Sequence, residues 1–449
     1  MKPFYLWAPA VLALSIASSV GCLGQTEPIH GSGPVPFAAP LTASLSIEQA
    51  VDEALHGNPE IRAGVQRLSL AQLKTTTARS LDDPMLMVRD WQTPLQKPWD
   101  LNQAQLMFSV QQTFVGKDKR DLRAKVAGDD VEVAGDQLES LRQEVSASVR
   151  EACAVLMRNA DEMRLHNQQA AVLNEALSAA LAEYTTGKVP QADVLRAQIA
   201  LTRLSEHLIE LEEERDTARA QLNALMGRGP DDAVEIAGSY RSPAVVPSIE
   251  ELERVAIEHR PELAALRKQI AKSGDAGQLA RLAMKPDFTV AVGYMVMPTG
   301  SNFRNAYMAE ATMNLPSLNR ARHDGEAKQA DGATDVARAE LDARTSTVFL
   351  EIRQAQIEVR SAQKRVKLYR DTLLPQAEAA FKASTAAYQN NRGEFVTLID
   401  SQNLLLDIRT AYYKALSAAD AGSAQLERAI GAPLPSINTT VSNSERTSK

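Results

Sequence analysis

Leu45-Ser46-Ile47-Glu48-Gln49-Ala50, followed by Asn58-Pro59-Glu60-Ile61, returns past the middle of the chain as Pro247-Ser248-Ile249-Glu250-Glu251-Leu252 and Arg260-Pro261-Glu262-Leu263. Ser46 and Ser248 lie 202 residues apart (248 − 46), and Pro84 recurs as Pro286 at the same offset. A period this long is not that of a short-repeat solenoid. It marks duplication of a whole structural unit, so what one half builds the other should build again.

Each copy opens as a helix with serine at its head and glutamate two residues on. The Asn58-Pro59 and Arg260-Pro261 steps interrupt or restart that helix, as prolines do. At Pro84 and Pro286 the helical period gives way to a period of two. Phe288, Val290, Val292, Tyr294 and Val296 share one face, with Thr289, Ala291 and Gly293 on the other. Tyr307, Ala309, Ala311, Met313 and Leu315 alternate in the same way with Glu310, Thr312 and Asn314. The first copy offers 85–91 and 106–114, where Leu106, Phe108 and Val110 stand opposite Ser109 and Gln111. Strands of about ten residues with one apolar face suit a tilted bilayer crossing, lipid outside and water inside. The alternative is a periplasmic hairpin half-buried on helices. Four strands cannot close around a channel, so a barrel requires several chains; three would supply twelve strands.

Long helices follow each strand pair. Leu138, Leu141, Val145, Val149, Ala152 and Leu156 are spaced 3, 4, 4, 3, 4. Leu204, Leu208, Leu211, Ala218, Leu222 and Leu225 keep a similar seam on the return, broken at Arg215. This is coiled-coil spacing. From Lys119 to Tyr184 the pattern is nearly continuous, which at 1.5 Å per residue spans roughly 100 Å. Such a length suits a structure that must bridge distance. The hairpin turns are duplicated too: Tyr184-Thr-Thr-Gly187 precedes Tyr388-Gln-Asn-Asn391 by 204 residues (388 − 184). Gly187 and Asn391 both tolerate the left-handed conformation that ends a helix. The copies close alike, at Leu225-Met226-Gly227 and Ala429-Ile430-Gly431.

The composition fits this picture. In 449 residues the net charge is −7 and only 5% of residues are aromatic. Charges of both signs are mixed along the chain, which leaves no electrostatic footprint for nucleic acid. Residues 1–21 have the form of a secretory signal, with Lys2 before an apolar run from Leu6 to Val20. It is similar to a lipoprotein signal, which would make Cys22 the lipidated first residue. Ser19 stands where such signals usually carry Leu, and ordinary cleavage nearby is the alternative. Cys153 is then without a disulfide partner and is expected to be a small packed residue. After the signal no run of 18 apolar residues remains for a transmembrane helix.

On the paired Ser-Ile-Glu…Pro-Glu openings, the strand pairs, the Tyr184-x-x-Gly187…Asp193-Val194-Leu195 tip and Thr397-Leu398-Ile399-Asp400-Ser401-Gln402, the chain resembles the TolC-type outer-membrane efflux family. The resemblance covers nearly the whole mature length. It implies a mostly α fold with a small β part. Duplicated coiled-coil hairpins would form a trimeric periplasmic tunnel, and four strands per chain would enter a shared 12-stranded transmembrane β-barrel. It further implies a lipid-anchored exit duct in the Gram-negative outer membrane. Its partners would be a periplasmic adaptor and an inner-membrane pump, through which small molecules or metal ions leave the cell. The expected segments are a signal at 1–21, an extended leader at 22–45, repeats at 46–228 and 248–432, a linker at 229–247 and a tail at 433–449.

The family closes its periplasmic end with a ring of carboxylates beside a hydrophobic ring. The matching residue here is Asp400, with Val396 one turn earlier. Three such carboxylates at a narrow tip would favour cations. Read on its own, Asp400 is equally a solvated charge on a helix face. Asp193, followed by Arg196, is the second candidate for a pore-facing acid, and Thr397 stands where the family often has another Asp. Gly187, Lys188, Asn391 and Arg392 are the expected adaptor contacts, and they also make the turns.

Nothing in the sequence supports catalysis, a cofactor or a protein-bound metal. The six histidines are scattered, with no zinc-ligand spacing. No Gly-rich phosphate loop ends in Lys-Ser/Thr. Lys117–Arg123 reads as a solvated helix start. Met85, Met87, Met107, Met295, Met297, Met308 and Met313 fall in or beside the strands. Thioethers bind Cu(I) and Ag(I), but packing or lipid contact is the plainer expectation. Gln111-Gln-Thr-Phe-Val-Gly-Lys117 resembles the Gln-x-x-Pro-x-x-Gly-Lys stretch of the heavy-metal efflux branch, without its Pro. The competing class is a lipid-anchored periplasmic scaffold or adaptor without a pore. Trp91 and Trp99 beside the strands favour the barrel, since Trp settles at membrane interfaces.

Overall fold

The computed structural model describes residues 44–90, 105–187, 189–241, 245–297, 305–390 and 392–434. Cys22, Trp91, Trp99, Lys188, Asn391 and Met297's loop neighbours 298–304 are not among them. The first repeat runs α1 (Ile47–Gly57), α2 (Pro59–Arg79), β1 (Met85–Asp90), β2 (Leu106–Phe114), α3 (Lys117–Thr185) and α4 (Gln191–Met226). The second runs α5 (Ile249–His259), α6 (Pro261–Leu282), β3 (Phe288–Val296), β4 (Asn305–Met313), α7 (Arg320–Leu368), α8 (Leu374–Gln389) and α9 (Phe395–Ile430). The order of elements is thus duplicated.

Each copy starts at a serine cap. Ser46 Oγ accepts from Gln49 N–H while Gln49 Oε1 accepts from Ser46 N–H, a reciprocal capping box. Ser248 Oγ accepts from Glu251 N–H at 3.3 Å. At the proline step the copies make the same contact with different side chains. Asn58 caps α2 through Oδ1 and donates from Nδ2 to Leu225 O at 2.9 Å. Arg260 donates from Nη1 to Ala429 O at 2.9 Å. Each thereby satisfies a terminal carbonyl of its closing helix, α4 or α9, which otherwise has no helical partner. Those helices end at Gly227 and Gly431, both left-handed, with φ of 72° and 71°. A Cβ at Gly227 would stand 2.4 Å from Gly57 O, and one at Gly431 would stand 2.7 Å from His259 O. Only glycine permits both the turn and that approach.

Two apolar cores follow the repeats. Leu138, Val145, Val149 and Leu156 of α3 pack with Leu222 and Met226 of α4 and with α1. Val348, Ile352 and Val359 of α7 pack with Leu426 and Ile430 of α9 and Leu252 of α5. Buried Leu204, Leu211 and Ala218 on α4 are spaced by sevens, the seam expected of a coiled coil. Cys153 is fully buried, and burial pushes its thiol up to about 12.

The two long helices differ in one respect that the sequence pattern did not reveal. α3 is continuous for 69 residues, or roughly 100 Å. Its counterpart is interrupted by a π segment, Tyr369–Leu373, before α8. Buried Asn159 matches buried Ala362 at an offset of 203, whereas buried Leu173 matches buried Ala377 at 204. A π turn accommodates one extra residue without breaking the helix, so it absorbs the insertion between these positions.

Asp420 of α9 is 6% exposed, and burial pushes its carboxyl up to about 6 against the pull of Arg241 and Arg150. Between about pH 4 and 6 the folded protein keeps a proton that the unfolded chain has released. Stability therefore falls as pH rises through that window, and the cost is complete above it. Asp420→Asn is expected to raise the melting temperature at pH 7.5 by about 1–3 °C and to leave it nearly unchanged at pH 4. Circular dichroism melts at the two pH values check this.

Candidate functional site: barrel strands and hairpin tips

The four strands form one antiparallel sheet in the order β1-β2-β3-β4. The two repeats meet at its centre, where Val110 pairs with Val292 and Phe108 with Tyr294. Register carries one apolar face across all four strands. Val88, Phe108 and Tyr294 continue to Tyr307, and Leu86, Val110 and Val292 continue to Ala309. Leu86, Val88, Val110, Val292 and Tyr307 are 52–88% exposed, so this face has no cover among the described residues. The other face carries Ser109, Gln111, Thr113, Thr289, Glu310 and Thr312, and Thr113 Oγ1 lies 2.9 Å from Thr289 Oγ1. The alternation expected from the sequence is therefore present. Among the described residues no helix is long and apolar enough to cross a membrane.

The methionines divide between the faces. Met313 pairs with Phe288 on the apolar side. Met85, Met87, Met107, Met295 and Met308 lie on the opposite, polar side, with Met107 directly across from Met295. Lipid contact is thus wrong for these five. Arg89 pairs with Met107 and donates to Met87 Sδ at 3.3 Å, and Gln105 Nε2 donates to Met295 Sδ. A fixed guanidinium among the sulfurs opposes a resident cation, so packing remains the better account.

The join between strands and helices overturns another expectation. Lys119, in the stretch expected to be solvated, is 5% exposed. Its ammonium donates to both oxygens of Asp287 at 2.9 Å and to Lys285 O at 2.7 Å. Lys285 in turn pairs with Asp118 at 2.6 Å. This reciprocal pair binds the start of α3 to the start of β3. Lys119 lies in a short run of mixed charges and its partner is 168 residues away, which is why no local pattern signalled the pairing.

At the far end of the long helices, Gly187 is left-handed at φ 73° as its position required, and its N–H donates to Tyr184 O. Arg392 is exposed, and its N–H closes the second turn on Ala387 O. Lys188 and Asn391 lie outside the described residues. The tips are held together by groups that the sequence reading did not single out. Tyr388 OH donates to Glu183 Oε2 at 3.1 Å, and its ring stands edge-on to Phe395 at 5.8 Å. Phe395 and Ile399 of α9 enter a cluster with Leu173, Ala180, Val194 and Leu204 of the first hairpin.

This packing separates the candidate acids. Asp400 is exposed, with half-buried Val396 one turn before it on α9. Asp193 is 8% exposed and paired with Arg196 at 3.4 Å. It sits near Tyr388, whose hydroxyl is pushed up to about 12 by burial and by Glu183, with a smaller push from Asp193. Asp193 is therefore placed in a packed junction and not on an open face. Arg196 and Asp400 occupy equivalent positions in the two copies (400 − 196 = 204) with opposite charge.

A protein-family model described as Outer membrane efflux protein matches residues 50–228 and 252–432. The chain belongs to that family. It is an outer-membrane efflux protein. Over 431 residues it is 24% identical to the Cobalt-zinc-cadmium resistance protein CzcC of Cupriavidus metallidurans, covering 95% of this chain and 99% of that protein. Among solved structures it is similar to the outer membrane protein VceC of Vibrio cholerae, with a TM-score of 0.71 and 19% identity, over 87% of this chain and 97% of that one. It is similar also to the CmeC outer membrane channel of Campylobacter jejuni, with a TM-score of 0.71 and 12% identity, over 89% and 88% of the two chains. The pore-free scaffold is set aside by the family match.

Lys119→Met would leave Asp287 without its ammonium at the base of the sheet. The expected cost is about 3 kcal/mol, seen as lower heat resistance of the assembled protein on gels. Lys119→Arg, which keeps the charge, should recover part of the loss.

Proposed function

We propose that the chain works as a homotrimer: the lipid-anchored exit duct of a tripartite efflux system, carrying divalent metal cations outwards. The observation that carries this reading is the four-stranded sheet, apolar on one face and, among the described residues, unpaired at the outer edges of β1 and β4. Three copies joined edge to edge would pair every strand in a twelve-stranded barrel. The helical hairpins, roughly 100 Å long, would continue its lumen into the periplasm. The turns at Gly187 and Arg392, next to Lys188 and Asn391 in the sequence, would meet a periplasmic adaptor, which would join the duct to an inner-membrane pump. Cys22 would anchor the chain in outer-membrane lipid.

Asp400 is the residue proposed to govern entry. It is exposed at the tip of α9, and three copies would set a ring of carboxylates there with Val396 a turn away. A carboxylate ring draws cations and repels anions. Metal cargo is supported by the likeness to the cobalt-zinc-cadmium resistance protein and by the cationic preference such a ring would give. Asp193, buried against Arg196, is proposed to hold the tip together while Asp400 meets the ions.

Asp400→Ala in planar-bilayer recordings is expected to reduce the cation-to-anion permeability ratio several-fold while channels still form. Unchanged selectivity and conductance would remove Asp400 from the gate and leave the duct itself untouched.

A further inference from the structure

The histidines are scattered along the sequence, but the folded hairpin of the first repeat brings two of them together. His166 of α3 and His207 of α4 are 41 residues apart in the chain (207 − 166). Their ring centroids are 6.0 Å apart, with the planes at 70°. Two imidazoles that share one tetrahedral ion through Nε2, at about 2.0–2.1 Å each, hold their centroids about 5 Å apart. A small side-chain rotation would bring this pair to that spacing.

Hydrogen bonding fixes which nitrogen each ring offers. His166 Nδ1 lies 2.8 Å from Glu162 O. A carbonyl can only accept, so Nδ1 carries the proton and Nε2 keeps its lone pair. His207 Nδ1 lies 3.0 Å from Glu210 Oε2, and an ionised carboxylate sets the same tautomer. Neither Nε2 has a hydrogen-bond partner among the described residues. Metal-binding histidines are held in this way. The far nitrogen donates to a carbonyl or carboxylate, which orients the ring and makes the free lone pair a better ligand.

The surroundings keep that lone pair available. His166 is 5% exposed. Burial, with smaller pushes from His207 and Lys414, holds its ring below the usual histidine range, against the hydrogen bond to Glu162 and the pull of Asp407. His207 is exposed and opens the pair to ions in solution. Net field contributes little here. Glu210 and Asp407 are offset by Lys414 and by Arg203, one turn before His207. Binding must therefore come from the two nitrogens, which favours Zn²⁺ and Cu²⁺ over the oxygen-seeking Mg²⁺ and Ca²⁺. Among the described residues no three of His, Cys, Asp and Glu converge as metal ligands, so water would complete the coordination.

The pair also has a place in the fold that an ion would serve. It lies beyond Leu156 and Met157 of the first core and before Leu173 of the tip cluster on α3, and between Ala218 and Leu204 on α4. Neither cluster covers this stretch. In the second repeat Tyr369 and Ala411 hold the equivalent positions, at offsets of 203 and 204, so that copy has no such pair.

We propose that His166 and His207 bind one divalent transition-metal ion per chain, of the Zn²⁺ and Cu²⁺ class, through both Nε2 atoms, and that the ion staples α3 to α4. This site goes beyond the duct reading and does not depend on it, since it would hold an ion whether or not that ion is cargo.

The test uses full-length protein in detergent, made without added histidines, stripped with a chelator and dialysed against Zn²⁺ alone. It should retain one Zn²⁺ per chain, and excess Mg²⁺ should not displace it. His207→Ala, at an exposed position, should remove the binding, and His166→Gln should do the same. His259→Ala, at an exposed histidine elsewhere, should leave it intact. With Cu²⁺ in place of Zn²⁺, electron paramagnetic resonance should show hyperfine coupling to two nitrogens, and to fewer in His207→Ala. Failure of the unmodified chain to retain Zn²⁺, or retention by His207→Ala, would overturn the site. So would a Cu²⁺ spectrum with a single nitrogen. Each of these would leave the duct reading, which the bilayer recordings test, untouched.

Discussion

Hydrocarbon offers no partner to a peptide group, so a strand that enters a bilayer must have both edges hydrogen-bonded. That requirement organises this protein. Its sheet presents an apolar face on one side, polar groups on the other, and β1 and β4 as open edges. The chain by itself is therefore an incomplete wall. The central β2–β3 pairing joins the two repeats, and the proposed trimer would pair the outer strands. Lys119 and Asp287 tie the helices to this sheet, so the wall and the tunnel below it are set in register by one buried ion pair.

Duplication supplies the second organising feature, and the copies have diverged where their surroundings differ. Where both make the same internal contact, the chemistry is conserved in effect though not in residue. Asn58 and Arg260 each reach the carbonyls of their closing helix, one as an amide and the other as a guanidinium. Where the copies face different neighbours, they depart from one another. Leu350 and Ile357 stand where the first copy has Ala147 and Ala154, Arg365 where it has Glu162, and Asp400 where it has Arg196. A single inserted residue was absorbed as a π turn in the second long helix, while α3 remained continuous.

Much of the fold was legible in the sequence because its signals are periodic and local. The alternation at Phe288–Val296, the seam through Val145 and Val149, and the serine caps at 46 and 248 each report a backbone geometry with a fixed repeat. The join at Lys119 was misjudged because its partner Asp287 is 168 residues away, and nothing near Lys119 signals burial. Which methionines pack and which meet the apolar face was left open for a related reason. Their faces follow from strand register, and one residue of register exchanges the two sides of a strand. At the tips, Gly187 was readable from its conformational freedom, whereas the Tyr388–Glu183–Phe395 lock needed two hairpins brought together.

The sequence alone determined that the chain is a duplicated unit of strands and long coiled-coil helices, because periodicity and repetition are properties of the chain itself. Tertiary structure decided which equivalent positions are buried and which remain open. It put Asp193 in a packed junction and left Asp400 on a free face, and it covered Ala154 while leaving Ile357 exposed. The physical reason is that a repeated sequence carries the same local preferences twice, whereas burial depends on which neighbour lies across the interface. Here the long helix of the first copy is covered by the return helix of the second, while Leu350 and Ile357 on the matching face of α7 stay exposed.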